Sequence, residues 1–385
     1  MEISLYLFIT SFIILIYIYF GYPFILLVLS KLKSSSHNKK EFISSVAIVM
    51  VAYNEEMNLK RKLDNLLELE YAGSLKIFAG SDGSTDATNE ILKDYEEKFS
   101  SISAIISEKR VGKVNIIAKI LDDIKDFDII FFCDVRQIIK KDALKEITAN
   151  FHNKQVGAVS GELIFYKDEK TLTAEGVGFY WKYEKAIRKM ESDIFSMIGA
   201  TGAIYAIRRE LFISPSPTII LDDVFIPMKI VEQGYRVLFD NKAVAYDKVA
   251  VSINQEFTRK VRTLAGNFQL FFKDPEFLNP FKNKIALQFV SHKFLRAFAF
   301  VFIITLFFSN LFLKGYVFSI FIYIQVAFYL LAISGFVLEK TGKRNKILSF
   351  PYVFCSLNIA SIMGFAYFIS GKQRVVWKKT ERVLK

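Results

Sequence analysis

Long apolar stretches near both ends of the chain restrict its fold more than any other feature. The first runs from about Ile3 to Leu29, which exceeds the ~20 apolar residues that cross a hydrocarbon core. Three more lie near the other end, at Phe294–Leu313, Gly315–Leu338 and Ile347–Ser370. Buried core helices are the alternative, but stretches of this length in a basic protein favour membrane-spanning helices. A soluble unit between one N-terminal and several C-terminal transmembrane helices is therefore predicted.

The N-terminal stretch is predicted to be an uncleaved anchor. Met1-Glu2 provides no basic region, and the apolar run exceeds the ~7–15 residues typical of a signal peptide. Basic residues follow the span at Lys31, Lys33, Lys39 and Lys40. By the positive-inside rule, the amino terminus is outside and the central domain is cytoplasmic. The sequence predicts a multi-pass protein of the cytoplasmic membrane.

The basic C-terminal tail conflicts with four full crossings. Four crossings that start outside would return residues 371–385 to the outside, whereas their lysines and arginines favour the cytoplasm. One segment is therefore predicted to be re-entrant or interfacial. Ile347–Ser370 is the candidate because it contains Pro351 and several polar residues.

The net charge of +12 is explained by the membrane. Much of the excess lies beside the apolar stretches, around Lys340 and in the tail, where basic residues pair with anionic lipid headgroups. No nucleic-acid-binding signature accompanies the charge. Cys133 and Cys355 are too few for a disulfide framework or a zinc site, which fits a reduced cytoplasmic domain.

Short apolar runs alternate with helical patterns between the membrane segments. Strands are predicted at Ser45–Tyr53, Leu75–Ala79, Ile102–Ile106, Phe127–Cys133 and Val156–Ser160, and helices at Asn58–Leu69, Ala87–Tyr95, Lys113–Ile124, Asp142–Phe151 and Phe225–Gln233. This alternation predicts an α/β domain with a mostly parallel sheet flanked by helices. The predicted organisation is a transmembrane helix (1–30), a basic linker (31–43), a cytoplasmic domain (44–280), a transmembrane region (294–370) and a basic tail (371–385).

Polar residues follow the first two predicted strands. Tyr53-Asn54-Glu55-Glu56 ends the first strand and opens a helix, whose amino terminus attracts anions; helix capping is the alternative. Ser81–Asp86 (SDGSTD) ends the second strand. A tight turn and a helix cap explain its glycine, serine and threonine, but not its two carboxylates. Since α/β sheets bind ligands at the carboxyl ends of their strands, Asp82 is a candidate for holding a base or ribose.

Two further acidic positions are candidates for catalysis. Asp134 follows an apolar strand, where its carboxylate can hold Mg²⁺ or Mn²⁺ against a diphosphate; a turn aspartate is the alternative. Asp222 and Asp223 follow an apolar run and precede a helical pattern. Adjacent carboxylates repel each other, so one of them is a candidate general base. A helix cap explains one acid and leaves the other unexplained.

Basic residues are candidates for binding phosphate. Arg259 and Arg262 lie on one face of a predicted helix, and the planar guanidinium suits a diphosphate leaving group. A solvated basic helix near lipid is the alternative. Lys113, which follows Gly112 at a predicted helix start, is a further candidate.

The ordered set of motifs resembles family 2 glycosyltransferases with the GT-A fold, particularly membrane-integrated relatives of cellulose, hyaluronan and poly-N-acetylglucosamine synthases. The resemblance covers roughly Ser44 to Leu270. The motifs are VAYNEE at Val51–Glu56, SDGSTD, the CDV stretch at Asp134, TGAIYAIRREL at Thr201–Leu211, LDDV at Leu221–Val224 and RKVR at Arg259–Arg262.

The resemblance implies inverting sugar transfer from a nucleoside diphosphate donor, with a UDP-sugar as the expected type. Tyr53, Glu55 and Asp82 would contact the nucleoside, and Lys113 and Arg259 the phosphates. Asp134 would approach the diphosphate and an Mg²⁺ or Mn²⁺ ion. Asp223, beside Asp222, would be the base that deprotonates the acceptor. Thr201, Gly202 and Ala203 would line the acceptor side, and Arg262 would stabilise the departing diphosphate.

Two departures from the family pattern modify this prediction. Arg136 stands where the usual Asp-x-Asp motif has its last acid, so a metal would have fewer protein ligands. The Gln-x-x-Arg-Trp motif of processive synthases is replaced by Arg259–Thr263, without the tryptophan. We therefore expect transfer of one or a few sugars to a lipid or saccharide acceptor. Tyr180–Lys189 is a candidate interface helix beside the lipid, and a packed amphipathic helix is the alternative. A processive synthase, a nucleotidyltransferase and a catalytically silent scaffold are the alternatives.

Overall fold

The computed structural model describes residues 2–33, 39–166, 174–248, 253–341 and 345–371. Most of the predicted basic tail and part of the linker lie outside these residues. Within them, the apolar stretches form helices at both ends of the chain and the central residues form one α/β domain.

A mixed sheet of eight strands forms the centre of the domain. The strands are β1 (Val46–Ala52), β2 (Leu75–Asp82), β3 (Ile102–Ser107), β4 (Ile129–Cys133), β5 (Ile138–Ile139), β6 (Val156–Tyr166), β7 (Ile204–Arg208) and β8 (Arg236–Lys248). Their spatial order is β3-β2-β1-β4-β7-β6-β8-β5. The pairings β1–β2, β1–β4, β2–β3 and β6–β8 are parallel, whereas β7 is antiparallel to both neighbours and β5 is antiparallel to β8. The five predicted strands are confirmed.

Helices cover both faces of the sheet and extend from both ends of the domain. They are α1 (Glu2–Ile16), α2 (Tyr22–Leu32), α3 (Glu56–Leu67), α4 (Thr88–Lys98), α5 (Lys113–Ile120), α6 (Ala143–Thr148), α7 (Ala174–Ile194), α8 (Asp222–Glu232), α9 (Ile253–Lys273), α10 (Ala286–Phe289), α11 (Leu295–Ala297), α12 (Ala299–Asn310), α13 (Tyr316–Lys340) and α14 (Lys346–Ile369). A π-helical segment, Tyr17–Gly21, joins α1 to α2, and another, Val290–Phe294, joins α10 to α11.

Alternation along the central strands divides the core into two layers. In β1, Val46, Ile48 and Met50 pack in the same cluster as α3, α4 and α6. Ala47 and Val49 face the other way, toward α5, α8 and α9. Because successive strand residues point to opposite faces, an apolar strand with both faces covered is buried almost throughout. Burial of each large apolar side chain contributes roughly 1.5–3 kcal/mol before entropic costs.

The apolar segments contain three helices long enough to span a membrane. These are Glu2–Leu32, Tyr316–Lys340 and Ile347–Ile369, and the pair Ala286–Ala297 and Ala299–Asn310 passes the same test together but bends by 57°. Ile347–Ser370 was predicted to be re-entrant or interfacial, but Ile347–Ile369 is one of the three helices long and apolar enough to span a membrane. That segment forms the long helix α14, with Asn345 capping its first turn, and the break lies at Phe298 instead.

The C-terminal part of α14 packs along α9 of the catalytic domain. Gly364 permits this, because a Cβ at that position would lie 3.1 Å from the Val261 carbonyl oxygen and 2.9 Å from Leu264 Cβ. The rings of Phe272 and Phe368 stack at 5.2 Å. The helix that carries Arg259 and Arg262 is thus held against a membrane-type helix.

Candidate active site

The sheet brings four predicted polar segments to one edge. Asp82 ends β2, and Asp134 directly follows β4. Because β7 is antiparallel to β4, with Cys133 opposite Ile204, the segment Thr201–Ala203 lies at the same edge as Asp134. Asp222 and Asp223 form the first turn of α8. This edge is where an α/β sheet binds ligands.

An ion cluster forms around Lys113. Its Nζ lies 3.0 Å from Asp222 Oδ2 and 3.7 Å from Asp134 Oδ1. Burial alone would lower the pKa of Lys113, but the charges of Asp222 and Asp134 outweigh it and raise that pKa. Gly112, with φ of +95°, turns the chain into α5 and so places Lys113 at the start of the helix. A lysine held charged beside two carboxylates is suited to a phosphate ligand.

Asp223 has the environment of a general base. Burial, followed by the negative charges of Asp222 and Asp134, raises its pKa to about 6, although Lys113 and Lys293 act in the opposite direction. The Asp223 backbone carbonyl accepts a 2.7 Å hydrogen bond from Ala200 N–H. A carboxylate with a pKa close to neutrality is effective at accepting protons.

Gly202 lies directly against Asp223. A Cβ added to Gly202 would be 3.1 Å from Asp223 Oδ2, so a glycine is needed for this close approach. Thr201 is fixed from two sides: its N–H donates to Ser160 Oγ at 2.9 Å, and its Oγ1 accepts from Arg188 Nη1 at 2.9 Å. The predicted acceptor segment therefore contacts the predicted base.

Arg262 faces the same acids. Burial lowers its pKa, whereas the charges of Asp222, Asp223 and Asp134 raise it, so the guanidinium is within electrostatic range of all three. Arg259, one turn earlier in α9, is exposed but lines the same cavity. Burial, followed by the negative charges of these acids, raises the pKa of Tyr205.

These residues share one cavity of about 1430 Å³. Its lining includes Lys113, Asp134, Arg136, Thr201, Gly202, Ala203, Asp222, Asp223, Arg259 and Arg262. The cavity continues between apolar side chains of α1, α13 and α14. The structure thus joins a charged pocket at the sheet edge to a space between the membrane-type helices.

Tyr53, Glu55 and Asp82 lie outside the lining of that cavity in the part of the chain that the structure describes. Asp82 Oδ1 accepts hydrogen bonds from Val111 N–H at 2.7 Å and Gly112 N–H at 2.8 Å. Asp82 therefore holds the loop that leads to Lys113, and its connection to the ion cluster is indirect. The Glu55 carboxylate accepts a 2.8 Å hydrogen bond from Asn58 at the start of α3.

Arg110 connects Tyr53 to Asp82. Its guanidinium lies 3.6 Å from the centroid of the Tyr53 ring, and its Nε is 4.0 Å from Asp82 Oδ2. Sequence reasoning missed Arg110, although its position two residues before Gly112 was a usable signal. It also missed Arg188 and Lys293, which line the cavity from distant segments that carry no recognisable motif.

The residues at this edge of the sheet fit a divalent cation that is coordinated mainly by the phosphates of a bound substrate and by few protein side chains. No group of three His, Cys, Asp or Glu side chains forms a metal site in the described ranges. Among the same residues, Asp134 is engaged only by the 3.7 Å ion pair with Lys113, which leaves carboxylate oxygens for a cation. Mg²⁺-type ions commonly use one or two carboxylates plus substrate phosphates.

Comparison with known proteins identifies the class of enzyme. A model of the family described as "Glycosyltransferase like family 2" matches residues 44–266, more than half of the chain. The chain belongs to this family and is a glycosyltransferase. This decides against the nucleotidyltransferase alternative.

Individual relatives resemble the chain over most of its length. The probable glycosyltransferase YdaM of Bacillus subtilis (strain 168) is 23% identical, over 90% of this chain and 88% of that protein. A poly-beta-1,6-N-acetyl-D-glucosamine synthase of Staphylococcus epidermidis is 22% identical, over 82% of this chain and 74% of that protein. The solved mannosyltransferase PcManGT of Pyrobaculum calidifontis, in complex with GDP-Man and Mn²⁺, has a TM-score of 0.70 and 18% identity, and covers 95% of this chain and 99% of its own. This last similarity confirms the GT-A-type fold.

Proposed function

We propose that the protein is a membrane-bound, inverting glycosyltransferase that transfers a sugar from a nucleoside diphosphate sugar to a lipid or saccharide acceptor in the synthesis of envelope polysaccharide. The observation that carries the proposal is the single cavity in which Lys113, Asp134, Asp223 and Arg262 meet beside Thr201–Ala203. Charged groups for a diphosphate and a base for a hydroxyl occupy one pocket. The family membership of residues 44–266 agrees with this chemistry.

Asp223 is assigned the role of general base. Its carboxylate takes the proton of the acceptor hydroxyl as the hydroxyl oxygen bonds to the anomeric carbon of the donor. The bond from that carbon to the diphosphate oxygen breaks, and the electron pair leaves with the nucleoside diphosphate. Lys113 and Arg262, positioned beside the aspartates, stabilise the charge that develops on the leaving group. Thr201–Ala203 position the acceptor next to Asp223.

The nucleoside is assigned to the carboxyl ends of β1 and β2, beside the loop that leads to Lys113. The Arg110 guanidinium lies over the Tyr53 ring there, and Asp82 accepts a hydrogen bond from Gly112 N–H in that loop. Glu55, just before α3, follows β1 at the same edge of the sheet. A nucleoside bound at Tyr53 would thus lie next to the loop that positions Lys113 for the phosphates.

A processive synthase is the second candidate function. The cavity includes Trp181 of α7, whose ring lies 5.5 Å from Lys260 Nζ. Trp181 could supply the stacking ring that Thr263 lacks at the family's tryptophan position. Long polymer made by the purified protein from donor alone would favour this alternative over transfer of one or a few sugars.

The proposal is tested with full-length protein in detergent or nanodiscs. Donor turnover is measured with UDP- and GDP-sugars, Mg²⁺ or Mn²⁺, and a membrane lipid extract as acceptor source. Labelled sugar recovered in lipid or glycan, with release of nucleoside diphosphate, is the expected result. Absence of both turnover and donor binding across the panel would instead support the catalytically silent scaffold.

Asp134 is proposed to hold the divalent cation. The ion supplies, when bound, positive charge that neutralises the donor diphosphate. Asp134→Asn is expected to raise the Mn²⁺ concentration that half-saturates the protein–nucleoside diphosphate complex by about 10–100-fold, because a charged ligand is lost. Electron paramagnetic resonance of Mn²⁺ measures this without turnover. Asp142→Asn, at a partly exposed aspartate outside the cavity, is the control, and an unchanged Asp134→Asn titration would contradict the assignment.

The pH dependence of kcat/KM should report Asp223. A base with its pKa raised to about 6 is protonated and inactive below that value, so activity should rise through about pH 6 and level off above it. Below the pKa it should fall about tenfold for each pH unit. Asp222→Asn removes a neighbouring negative charge and should move this limb to lower pH. If the acidic limb of the kcat/KM profile does not move in Asp222→Asn, the titrating group is not Asp223.

The catalytic domain is proposed to be cytoplasmic. The chain would cross the membrane three times, through Glu2–Leu32, α13 and α14, while the bent pair 286–310 enters and leaves the membrane on the same side. The basic residues after α2 and the end of α14 would then lie on the side of the catalytic domain. Packing of Gly364 and Phe368 on α9 supports this arrangement. It also reconciles the basic tail with the positive-inside rule.

A further inference from the structure

The apolar part of the cavity is lined by membrane-type helices. Leu15 and Phe20 contribute from the N-terminal helices, Phe328 from α13, and Phe354 and Leu357 from α14. The same cavity contains Asp223 at its charged end. A ligand that fills both parts has a long hydrocarbon chain and a polar head placed near the base.

A buried polar network lies at the junction of the two parts. Glu191 Oε1 accepts from the Tyr22 hydroxyl at 2.6 Å and is 2.8 Å from His292 Nδ1. His292 Nε2 is 3.1 Å from Glu184 Oε2, and Arg296 forms an ion pair with Glu184. Both oxygens of Glu184 and the Oε1 atom of Glu191 therefore have partners within this network, whereas Glu191 Oε2 has no hydrogen-bond partner among the described residues.

The junction carries an excess of positive charge. Arg188, Lys293 and Arg296 outnumber the two carboxylates and all three line the cavity. No hydrogen bond or ion pair joins Lys293 to another residue within the described ranges. Arg188 donates to the neutral hydroxyl of Thr201. A charged side chain next to membrane helices is costly unless it has a partner, which points to an anionic ligand.

The excess charge lies on the acceptor side of the site. Arg188 is bonded to Thr201, whose neighbour Gly202 approaches Asp223. The charge of Lys293 is near enough to lower the pKa of Asp223. The donor phosphates already have Lys113 and Arg262 on the other side of the aspartates. An anion at Lys293 would therefore belong to the acceptor.

We propose that Arg188 and Lys293 form a binding site for the phosphate of a lipid-linked acceptor, whose hydrocarbon chain lies between α1, α13 and α14. This inference rests on the proposed glycosyltransferase function and names its acceptor class. The lipid phosphate would anchor the head at Arg188 and Lys293, and the acceptor hydroxyl to be glycosylated would point toward Asp223.

Lipid binding in the absence of donor tests the proposal separately from catalysis. Full-length protein in nanodiscs of neutral phosphatidylcholine is titrated with a long-chain alkyl phosphate, the matching alkyl alcohol and inorganic phosphate. The alkyl phosphate should bind at least about tenfold more tightly than either other probe. Equal affinity for alcohol and phosphate would overturn the anion site, and equal affinity for inorganic phosphate would overturn the lipid assignment.

Substitutions of Lys293 and Arg188 test whether these residues are the source of the preference for alkyl phosphate. Lys293→Gln should lose about tenfold in alkyl phosphate affinity and keep its affinity for the alcohol and for nucleoside diphosphate. Arg188→Lys, which keeps the charge, should lose less. Lys314→Gln, an exposed lysine between α12 and α13 that does not line the cavity, is the control. Loss of nucleotide binding with intact lipid binding would count against the proposed function alone, whereas unchanged lipid preference in Lys293→Gln would overturn this site.

Discussion

Asp223→Asn should lower kcat by ~10²–10⁴-fold, the range expected for loss of a general base. Asparagine has nearly the same shape as aspartate, so the close contact with Gly202 and the hydrogen bond from Ala200 are retained. It cannot accept the acceptor's proton. The affinity for the nucleotide sugar should change little, because Lys113 and Arg262 remain. Single-turnover transfer rates and calorimetric donor binding measure the two quantities.

The Asp222→Asn variant tests whether Asp223 acts as a general base or only through its negative charge. Asp222 forms a 3.0 Å ion pair with Lys113, so Asp222→Asn should act on the position and charge of Lys113 and cost less in kcat than Asp223→Asn. Asp142→Asn controls for loss of an aspartate away from the cavity. If Asp223→Asn keeps more than about a tenth of wild-type kcat while Asp222→Asn does not, the roles of the two acids must be exchanged.

The sheet and the ion cluster could be predicted because local patterns determine them. Apolar runs such as Ile129–Cys133 are short and end at a polar residue, and parallel strands align those ends at one edge. Asp134, Asp222 and Asp223 were therefore predicted to lie together, and they line one cavity. Strand β7 escaped prediction as a strand because Ile204–Arg208 is short and follows a glycine-containing turn.

The features that could not be predicted depend on packing between residues that are far apart in the sequence. The order that places β7 between β4 and β6 depends on side chains far apart in sequence. Lys293 and Arg188 reach the cavity from a bent membrane-type segment and from α7, and neither position has a motif. The nucleoside contact of Asp82 stays a prediction, and the sequence did not indicate that its Oδ1 also accepts hydrogen bonds from backbone amides of the loop before Lys113. Pro351 and nearby polar residues suggested a re-entrant or interfacial segment, yet Lys346–Ile369 forms one helix that contains the proline, because a missing backbone hydrogen bond is tolerated there.

Arg262→Ala should lower kcat by ~10²–10³-fold, similar to the loss of one preorganised group that stabilises a developing charge. The guanidinium is half-buried and within electrostatic range of Asp222 and Asp223, so its charge acts where the diphosphate departs. Arg262→Lys keeps the charge but lacks the planar fork, and should recover only part of the activity. The variants should also bind the nucleoside diphosphate product more weakly, which is measured by product inhibition.

Arg259 provides the matched control for Arg262. It lies one turn earlier on α9 and lines the same cavity, but it is exposed. Solvent screens exposed charges, so Arg259→Ala should reduce kcat much less and act mainly on donor affinity at low ionic strength. A larger kcat loss for Arg259→Ala than for Arg262→Ala would place the leaving group toward the mouth of the cavity. The diphosphate would then depart away from the buried acids, and Arg259, in place of Arg262, would balance the charge that develops on it.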